Sequence, residues 1–396
     1  MRYTSAACKN CACAQASHCP SQSSGQMFLW FPVHHSMGKV LQHLRKSGFE
    51  YQVMAERHGC SLTCQSGQVQ QVVQQIAPLL TAQELRTTQV LFIQGNEQPQ
   101  LHDFSDIMSL SQFISFSQSD WLVDILTEQR LTSHFQPIVE MQDTSRIYGY
   151  EALVRGKDLQ GNLVMPGSLF ESATNAGLIP QLDRAARLSA IAAAHQHNVH
   201  ARLFINFMPT AVYDPVACLR STVDAIDAAG IRHDRIVFEV VESSHPQELE
   251  HLKSVLRFYR EAGFSVALDD LGSGFSSLNL LHQLRPDLLK LDLELVRNVH
   301  LDSYKASITE KILEIAQKLN IETVAEGIES PEELDWLRER GATYAQGYLI
   351  GKPAVSPAQT TPHFVRRSTD SLQAPPLCQQ LQQSNPDCTN YSPSMA

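Results

Sequence analysis

The stretch VALDDLGSGFSSL, from Val266 to Leu278, begins as an apolar, β-prone run and then places Asp269 and Asp270 side by side. Glycines and other small residues follow, and they allow the chain to turn tightly beside the two acids. Two adjacent buried carboxylates repel each other, and one is driven towards protonation unless a cation lies between them. The stretch therefore predicts a strand that ends at a cation site.

Further β-like runs occur on both sides of this strand, and helical stretches separate most of them. They read HFQPIVEM, GYEALVR, RLFINFM, IVFEVVE, LLKLDLE, TVAEGI and YAQGYLI. Strands and helices in this alternation predict an α/β fold, a TIM-like (β/α)8 barrel. Only QDTSRI separates the first two runs, which is too short for a crossover helix. We therefore expect an antiparallel first pair and an irregular barrel.

The remainder of the chain divides by composition and periodicity. Residues 26–103 alternate short strands and helices, which predicts a small α/β domain of βαββαβ type with a sensory or regulatory role. The other predicted parts are a Cys-rich flexible segment over 1–25, a helical connector over 104–132, the barrel over 133–355 and a disordered tail over 356–396.

Composition restricts the classes of partner. The chain has 396 residues, 43% of them hydrophobic, and a formal net charge of −10. That charge argues against a nonspecific DNA-binding protein. Because the sequence has neither a long apolar run nor a signal-peptide pattern, we expect no membrane insertion and a cytoplasmic location.

Polar side chains interrupt the predicted barrel strands, mostly near their C-terminal ends, which converge on one mouth of a barrel. They are Glu151, Asn206, Glu239, Glu242, Asp269, Asp270, Lys290, Asp292, Glu326, Glu329 and Gln346. Oxygen ligands of this kind suit hard divalent cations such as Mg²⁺ or Mn²⁺. Adjacent aspartates can serve two ions, and two-ion sites support in-line displacement at phosphorus. The alternative is that these are solvated strand ends or buried acids paired with Arg or Lys.

Seven motifs carry a resemblance to a known family. YGYEALVRG, FINFMP, FEVVES, DDLGSGFSSL, LKLD, VAEGIE and AQGYLIGKP resemble, in this order, the signatures of the bacterial EAL-domain family of cyclic di-GMP phosphodiesterases. The resemblance implies a hydrolase that uses two Mg²⁺ or Mn²⁺ ions to cut cyclic di-GMP to linear pGpG, as a homodimer controlled by the N-terminal domain. The alternative is a catalytically weak cyclic di-GMP receptor or protein-interaction module. Such a protein would be expected to lose a ligand or the lysine, and the sequence retains them all.

The resemblance also implies roles for individual residues. The metal ligands would be Glu151, Asn206, Glu239, Asp269, Asp270 and Glu326. The catalytic residues would be Lys290, which contacts the attacking water, together with Glu326 and Glu151. The substrate-binding residues would be Gln136, Leu153, Arg155 and Gln346, and Glu242 would steady the loop after Asp270. Leu271, Ser273 and Phe275 replace the family's usual Phe, Thr and Tyr in that loop.

The N-terminal segment CKNCACAQASHC contains Cys8, Cys11, Cys13 and Cys19. Four thiolates can hold zinc or an iron–sulfur cluster, and Cys60 and Cys64 are further candidates. A metal or cluster site, a redox switch and incidental thiols all remain open from the spacing.

Overall fold

The computed structural model describes residues 23–54, 58–95, 98–212, 215–240, 246–271 and 277–364. These residues form a small N-terminal domain, two short connecting helices and a closed barrel. The predicted fold, an irregular TIM-like barrel with a small N-terminal α/β domain, is confirmed.

The N-terminal domain is built on one antiparallel sheet with the strand order β2-β3-β1-β4-β5. Its strands are β1 (Gly25–Trp30), β2 (Tyr51–Met54), β3 (Gly59–Cys64), β4 (Gln89–Gln94) and β5 (Met108–Ser109). Its helices are α1 (His34–Lys46), α2 (Gln68–Ile76) and α3 (Ala82–Thr87). Alternation along β1 sends Met27 and Leu29 into the core against Val40 and Leu44 of α1. The opposite face carries Phe28, which packs against residues of β4.

Two helices connect this domain to the barrel, α4 (Leu110–Ser117) and α5 (Asp120–Thr127). The sequence predicted one helical stretch here, but the helix stops at Gln118 and restarts after Ser119. Ser109 caps α4 through the amide of Gln112, and the Ser119 hydroxyl donates back to the carbonyl of Ser115. Local hydrogen bonds of this kind compete with helix continuation.

The barrel contains strands whose order closes upon itself, β6-β14-β13-β12-β11-β10-β9-β7, with β7 paired to β6. They are β6 (Leu131–Glu140), β7 (Ile147–Lys157), β8 (Leu163–Val164), β9 (Arg202–Phe207), β10 (Ile236–Val240), β11 (Ser265–Leu271), β12 (Leu288–Leu291), β13 (Glu322–Ala325) and β14 (Tyr344–Ala345), with β8 an outer extension of β7. As predicted, β6 runs antiparallel to β7, and it is also antiparallel to β14.

Helices surround the barrel and cover its outer apolar face. They are α6 (Pro166–Ala176), α7 (Ile179–Gln196), α8 (Pro215–Ala228), α9 (Pro246–Glu261), α10 (Ser277–Leu284), α11 (Leu293–Val296), α12 (Ser303–Lys318) and α13 (Pro331–Glu339). Side chains such as Leu203, Phe238 and Leu289 point outward into this layer and form the largest core cluster. A separate set of residues fills the interior of the barrel: Ile138, Phe204, Val237, Ala267, Leu288, Val324 and Tyr344.

After β14 the chain runs back along β6. Residues 356–364 fall in the segment predicted to be a tail, yet they contact the barrel. The Tyr150 hydroxyl donates to the carbonyl of Ala358, and the Thr144 hydroxyl donates to that of Pro362. These contacts use backbone carbonyls, which leave no trace in composition.

Candidate active site

The site side chains follow the interior apolar residues by two positions. Phe204 precedes Asn206 in this way, Val237 precedes Glu239, and Leu288 precedes Lys290. The same offset leads from Ala267 to Asp269, from Val324 to Glu326 and from Tyr344 to Gln346. Because strand side chains alternate faces, residues two apart point to the same side. An apolar layer therefore closes one end of the interior, and a polar layer lies above it at the C-terminal mouth.

Lys290 lies at the centre of the polar layer. Its Nζ is 2.6 Å from Oε1 of Glu239 and 2.5 Å from Oε1 of Glu326. It is also 3.1 Å from Oδ1 of Asp269 and 3.8 Å from Oε2 of Glu151. Only 1% of the Lys290 side chain is exposed. One strand therefore delivers an ammonium group into contact with carboxylates from four other elements.

The charges in this layer do not balance. Four carboxylates around one ammonium leave a net charge of −3 if all are ionised. Burial alone lowers the pKa of Lys290, but the surrounding carboxylates outweigh burial and raise that pKa well above its usual value. Lys290 is therefore a fixed positive charge.

The carboxylates respond differently to the same surroundings. Burial and the neighbouring anions raise the pKa of Glu239 well above its usual value, despite Lys290. Burial also raises the pKa of Glu326, to about 8. For Glu151, burial raises the pKa, but Lys290 and the amides of Gln346 and Asn206 outweigh it and keep the pKa below its usual value. Protonation of Glu239 and Glu326 thus reduces the negative charge that Lys290 alone cannot balance.

Two amide side chains orient the carboxylate of Glu151, and a third supports one of them. Asn206 Nδ2 donates to Oε1 of Glu151 at 2.8 Å, and Gln346 Nε2 donates to Oε2 at 2.7 Å. Gln346 Nε2 also lies 3.2 Å from Oε1 of Gln136, whose own Nε2 donates to the carbonyl of Gly351. Gln136 comes from the reversed strand β6 and pairs directly with Glu151 in register. Hydrogen bonds between amides therefore connect β6 and the end of β14 to the Glu151 carboxylate on β7.

Gly347 makes the position of Gln346 attainable. A Cβ atom at Gly347 would collide with the backbone of Ile328, and the φ angle of 157° is one that glycine readily adopts. The segment after β14 therefore lies directly on the segment that carries Glu326.

The rim of the mouth carries the other predicted substrate residues. Leu153 and Arg155 follow Glu151 at two-residue steps on β7, and Arg155 is buried with its Nη1 donating to the carbonyl of Val154. His134, which sequence reasoning missed, precedes Gln136 by two positions on β6. Its Nε2 is buried and has no hydrogen-bond partner within the described residues. The two-residue step from Gln136 was the signal available for finding it.

Burial lowers the pKa of His134, and the positive charges of Arg155 and Lys157 lower it further. The His134 ring is therefore neutral at physiological pH and can accept or donate one hydrogen bond at the rim.

Several predicted residues lie apart from this cluster or outside the described parts. The backbone of Asp270 belongs to β11, but its side chain is outside the description. Glu242, Ser273 and Phe275 also lie outside the described residues. Asp292 caps α11 by accepting from the amide of Glu294, and Glu329 forms an ion pair with Arg297. The last two acids thus have structural partners.

The donor set fits a divalent cation. One carboxylate oxygen from each of Glu151, Glu239 and Glu326 lies within 4.8 Å of the others. Oε1 of Glu239 already lies 2.6 Å from Nζ of Lys290, so one ammonium is shared among four carboxylates. Clustered carboxylate oxygens with too little positive charge among them are the environment in which hard cations bind. The excess negative charge of the cluster favours such an ion.

The cysteines that the sequence singled out lie either outside the described residues or in an apolar core. Cys8, Cys11, Cys13 and Cys19 lie outside the described residues. Cys60 and Cys64 point into the apolar core of the N-terminal domain, where burial raises their pKa values to about 12 and about 11. Thiols in such surroundings stay protonated and are poor metal ligands.

Within the described ranges, no helix has the length and apolar character that crossing a lipid bilayer requires.

Comparison with known proteins agrees with this geometry. The family described as the EAL domain matches residues 119–353. A probable cyclic di-GMP phosphodiesterase of Escherichia coli K12, PdeG, is 33% identical over 55% of this chain and 44% of its own length. The cyclic di-GMP phosphodiesterase NbdA of Pseudomonas aeruginosa is 31% identical over 64% of this chain and 32% of its own. The chain spans less than half the length of these two curated relatives.

A solved structure gives a match over the barrel. It is a standalone EAL protein from Vibrio cholerae O395 with cyclic di-GMP bound, 36% identical, with a TM-score of 0.53 over 58% of this chain and 95% of that one. The family match covers more than half of the present chain and includes every strand of the closed barrel. On these grounds the chain belongs to the EAL domain family.

Proposed function

We propose that the barrel hydrolyses cyclic di-GMP to linear pGpG in a reaction that depends on two Mg²⁺ or Mn²⁺ ions. The observation that carries this proposal is the ammonium of Lys290 in contact with four carboxylates at the barrel mouth. The names of the relatives and the bound ligand of the Vibrio cholerae structure support the choice of substrate.

The proposed metal ligands are Glu151, Asn206, Glu239, Asp269, Asp270 and Glu326. Bound divalent ions would activate water for attack on phosphorus and offset the charge that develops on the phosphoryl oxygens. A dianionic dinucleotide is repelled by the carboxylate layer alone, so its binding requires positive charge at that layer.

The chain's own residues orient the reactants. Lys290 is held rigidly by its burial, and we assign it to the attacking water as a fixed cation that favours the developing negative charge. Gln346 and Asn206 fix both oxygens of Glu151, so that carboxylate cannot rotate away from the mouth. Arg155 on the rim provides a positive charge for a substrate phosphate.

Gln136, Leu153 and Gln346 lie on the same side of the mouth as Arg155, and we assign them to the substrate groove. The two-residue steps along β6 and β7 bring Gln136 and Leu153 to one rim, and Gln346 reaches Gln136 from the end of β14. Glu242 is assigned to the loop after Asp270 on the strength of the motif alone.

The arrangement of the chain supports control from the N-terminal side. We assign residues 26–103 to a regulatory domain, 104–132 to a connector and 133–355 to the phosphodiesterase barrel. Phe116 of α4 and Leu122 of α5 pack with Leu169 and Ala173 of α6 in one apolar cluster. The connector therefore rests on the helix that follows the strand of Glu151. A cytoplasmic homodimer remains part of the proposal, as does a redox or metal response of the Cys8–Cys19 segment.

The test is hydrolysis of cyclic di-GMP by the purified full chain with Mn²⁺ or Mg²⁺, with pGpG measured by chromatography. We expect turnover with either ion and a loss of about a hundredfold or more in Glu151→Ala and Asp269→Asn. Glu171→Gln, at an exposed position on α6, is the matched control and should retain full activity. Tight binding of cyclic di-GMP without hydrolysis would instead favour a receptor.

A further inference from the structure

A pocket of about 1180 Å³ opens in the N-terminal domain, away from the barrel. Its walls include Trp30, His34, Met37, Met54, His58 and Phe104. None of the described residues that line it carries a carboxylate, an ammonium or a guanidinium group. The described part of the lining thus combines imidazole, thioether and aromatic groups.

Two histidines from separate segments meet in this pocket. His34 is the first residue of α1, and His58 precedes β3. The amide of Phe31 donates to the carbonyl of His58 at 2.7 Å, which holds the two segments together. The Nδ1 atoms of His34 and His58 lie 3.2 Å apart. Two nitrogens bound to one tetrahedral metal at about 2.0–2.1 Å are separated by about 3.3 Å. The pair therefore has the spacing of two ligands of one ion.

The other groups in the pocket determine the kind of ion. Thioethers such as those of Met37 and Met54 are soft ligands that select Cu⁺ over hard cations. The Trp30 ring attracts a cation placed over its face. None of the described lining residues offers a carboxylate, the ligand that hard divalent ions such as Mg²⁺ and Ca²⁺ prefer.

We infer that His34 and His58 bind a soft monovalent cation of the Cu⁺ type through their Nδ1 atoms, with Met37 and Met54 lining the site as further donors. His34 and His58 are both exposed, which gives the ion a path from solvent. Phe104 and Ile107 form part of the same wall, and Ile107 directly precedes β5, which α4 follows. An occupied site therefore lies against the segment that leads to the connector.

The test uses Ag⁺, a redox-inert ion of the same charge and softness, added to the full chain with ¹⁵N-labelled histidine. We expect the Nδ1 resonances of His34 and His58 to shift together on titration. The Ag⁺ affinity measured from the His58 resonance should fall at least tenfold in His34→Ala and several-fold in Met54→Leu. His35→Ala, the exposed neighbour on α1, should change neither. Circular dichroism checks that each variant is folded.

A second arm separates this site from the thiols of the N-terminal segment. The titration is repeated with Cys8, Cys11, Cys13 and Cys19 replaced by serine, and the histidine shifts should persist. Resonances that do not move, or that move only when the cysteines are present, would reduce the pair to a hydrogen bond between two imidazoles. Tighter binding of Zn²⁺ than of Ag⁺ at the same resonances would overturn the choice of a soft monovalent ion.

Discussion

Ile125 of the connector lies directly against Gly156, the residue that follows Arg155 in strand β7. A Cβ atom built at Gly156 would be 3.2 Å from Cδ1 of Ile125 and 3.2 Å from Cδ2 of Leu169. The contact needs a residue without a side chain, because α5 and α6 both approach the strand there. The connector is thereby in van der Waals reach of the strand that carries Glu151 and Arg155.

Gly156→Ala should disturb the site through this contact. The added methyl must displace Ile125, Leu169 or Val164 by a few tenths of an ångström, and overpacking of this kind costs about 1–3 kcal/mol. We expect a lower thermal midpoint and a several-fold loss of cyclic di-GMP hydrolysis. Gly167→Ala on α6, where a Cβ meets no atom within 4 Å, is the matched control and should lower neither quantity, since alanine is favoured over glycine at an unobstructed helical position. Equal behaviour of the two variants would show that the contact does not constrain the strand.

Lys290→Met should separate the electrostatic role of the lysine from its packing. Methionine has a similar length but leaves four carboxylates without their cation, and breaking a buried ion pair costs about 3–5 kcal/mol. We expect lower stability in chelator and a loss of turnover of about a hundredfold or more. Urea unfolding and steady-state kinetics measure the two effects. Lys311→Met, at a surface pair with Glu314, should leave both unchanged.

Divalent cations should stabilise the fold as well as support activity. Mn²⁺ would relieve the excess negative charge at the mouth, so the thermal midpoint in Mn²⁺ should exceed that in chelator. Glu239→Gln removes a buried ligand charge and should weaken this Mn²⁺-dependent increase, whereas Glu171→Gln should not. Ca²⁺ should inhibit hydrolysis, since it prefers longer and looser coordination. Full turnover in excess chelator would contradict the two-ion reading.

Glu84 should make the stability of the N-terminal domain depend on pH. The Ser36 hydroxyl donates to its carboxylate at 2.6 Å, and with the Thr81 amide and Lys39 it lowers the pKa of Glu84 to about 2. Because the folded pKa lies below the unfolded value of 4.5, the stabilisation is complete above about pH 4.5 and is lost as the pH falls towards 2.

Amide hydrogen exchange in α1 and α3 measures this effect. Glu84→Gln should exchange faster than the parent chain at pH 7, and the difference should shrink by pH 3. Glu50→Gln, at an exposed position in the same domain, serves as the control. A difference that stays constant with pH would exclude the carboxylate as its origin.

The sequence predicted the barrel well because its signals are local and periodic. The step from Leu288 to Lys290 within an apolar run marks an inward-facing polar residue, and the same step recurs on the neighbouring strands. Packing between distant segments leaves no such mark. The contact of Ile125 with Gly156 depends on which elements lie beside each other, and the break at Gln118 depends on serine hydroxyls that could equally have pointed to solvent. The backbone contacts of residues 356–364 are invisible to composition for the same reason.

The reversed direction of β6 decides which end of the barrel an attached domain reaches. Leu131 begins β6 beside Gly156 at the catalytic mouth, whereas a parallel first strand would have begun at the opposite face. Beyond the last strand, the carbonyl of Pro362 accepts a hydrogen bond from the Thr144 hydroxyl. Thr144 lies in the turn between β6 and β7, far from that mouth. A domain joined before β6 therefore starts at the catalytic mouth, and one joined after residue 364 starts at the opposite end of the barrel. In this barrel, a domain fused before β6 can contact the catalytic mouth directly, whereas a domain fused after the last strand cannot.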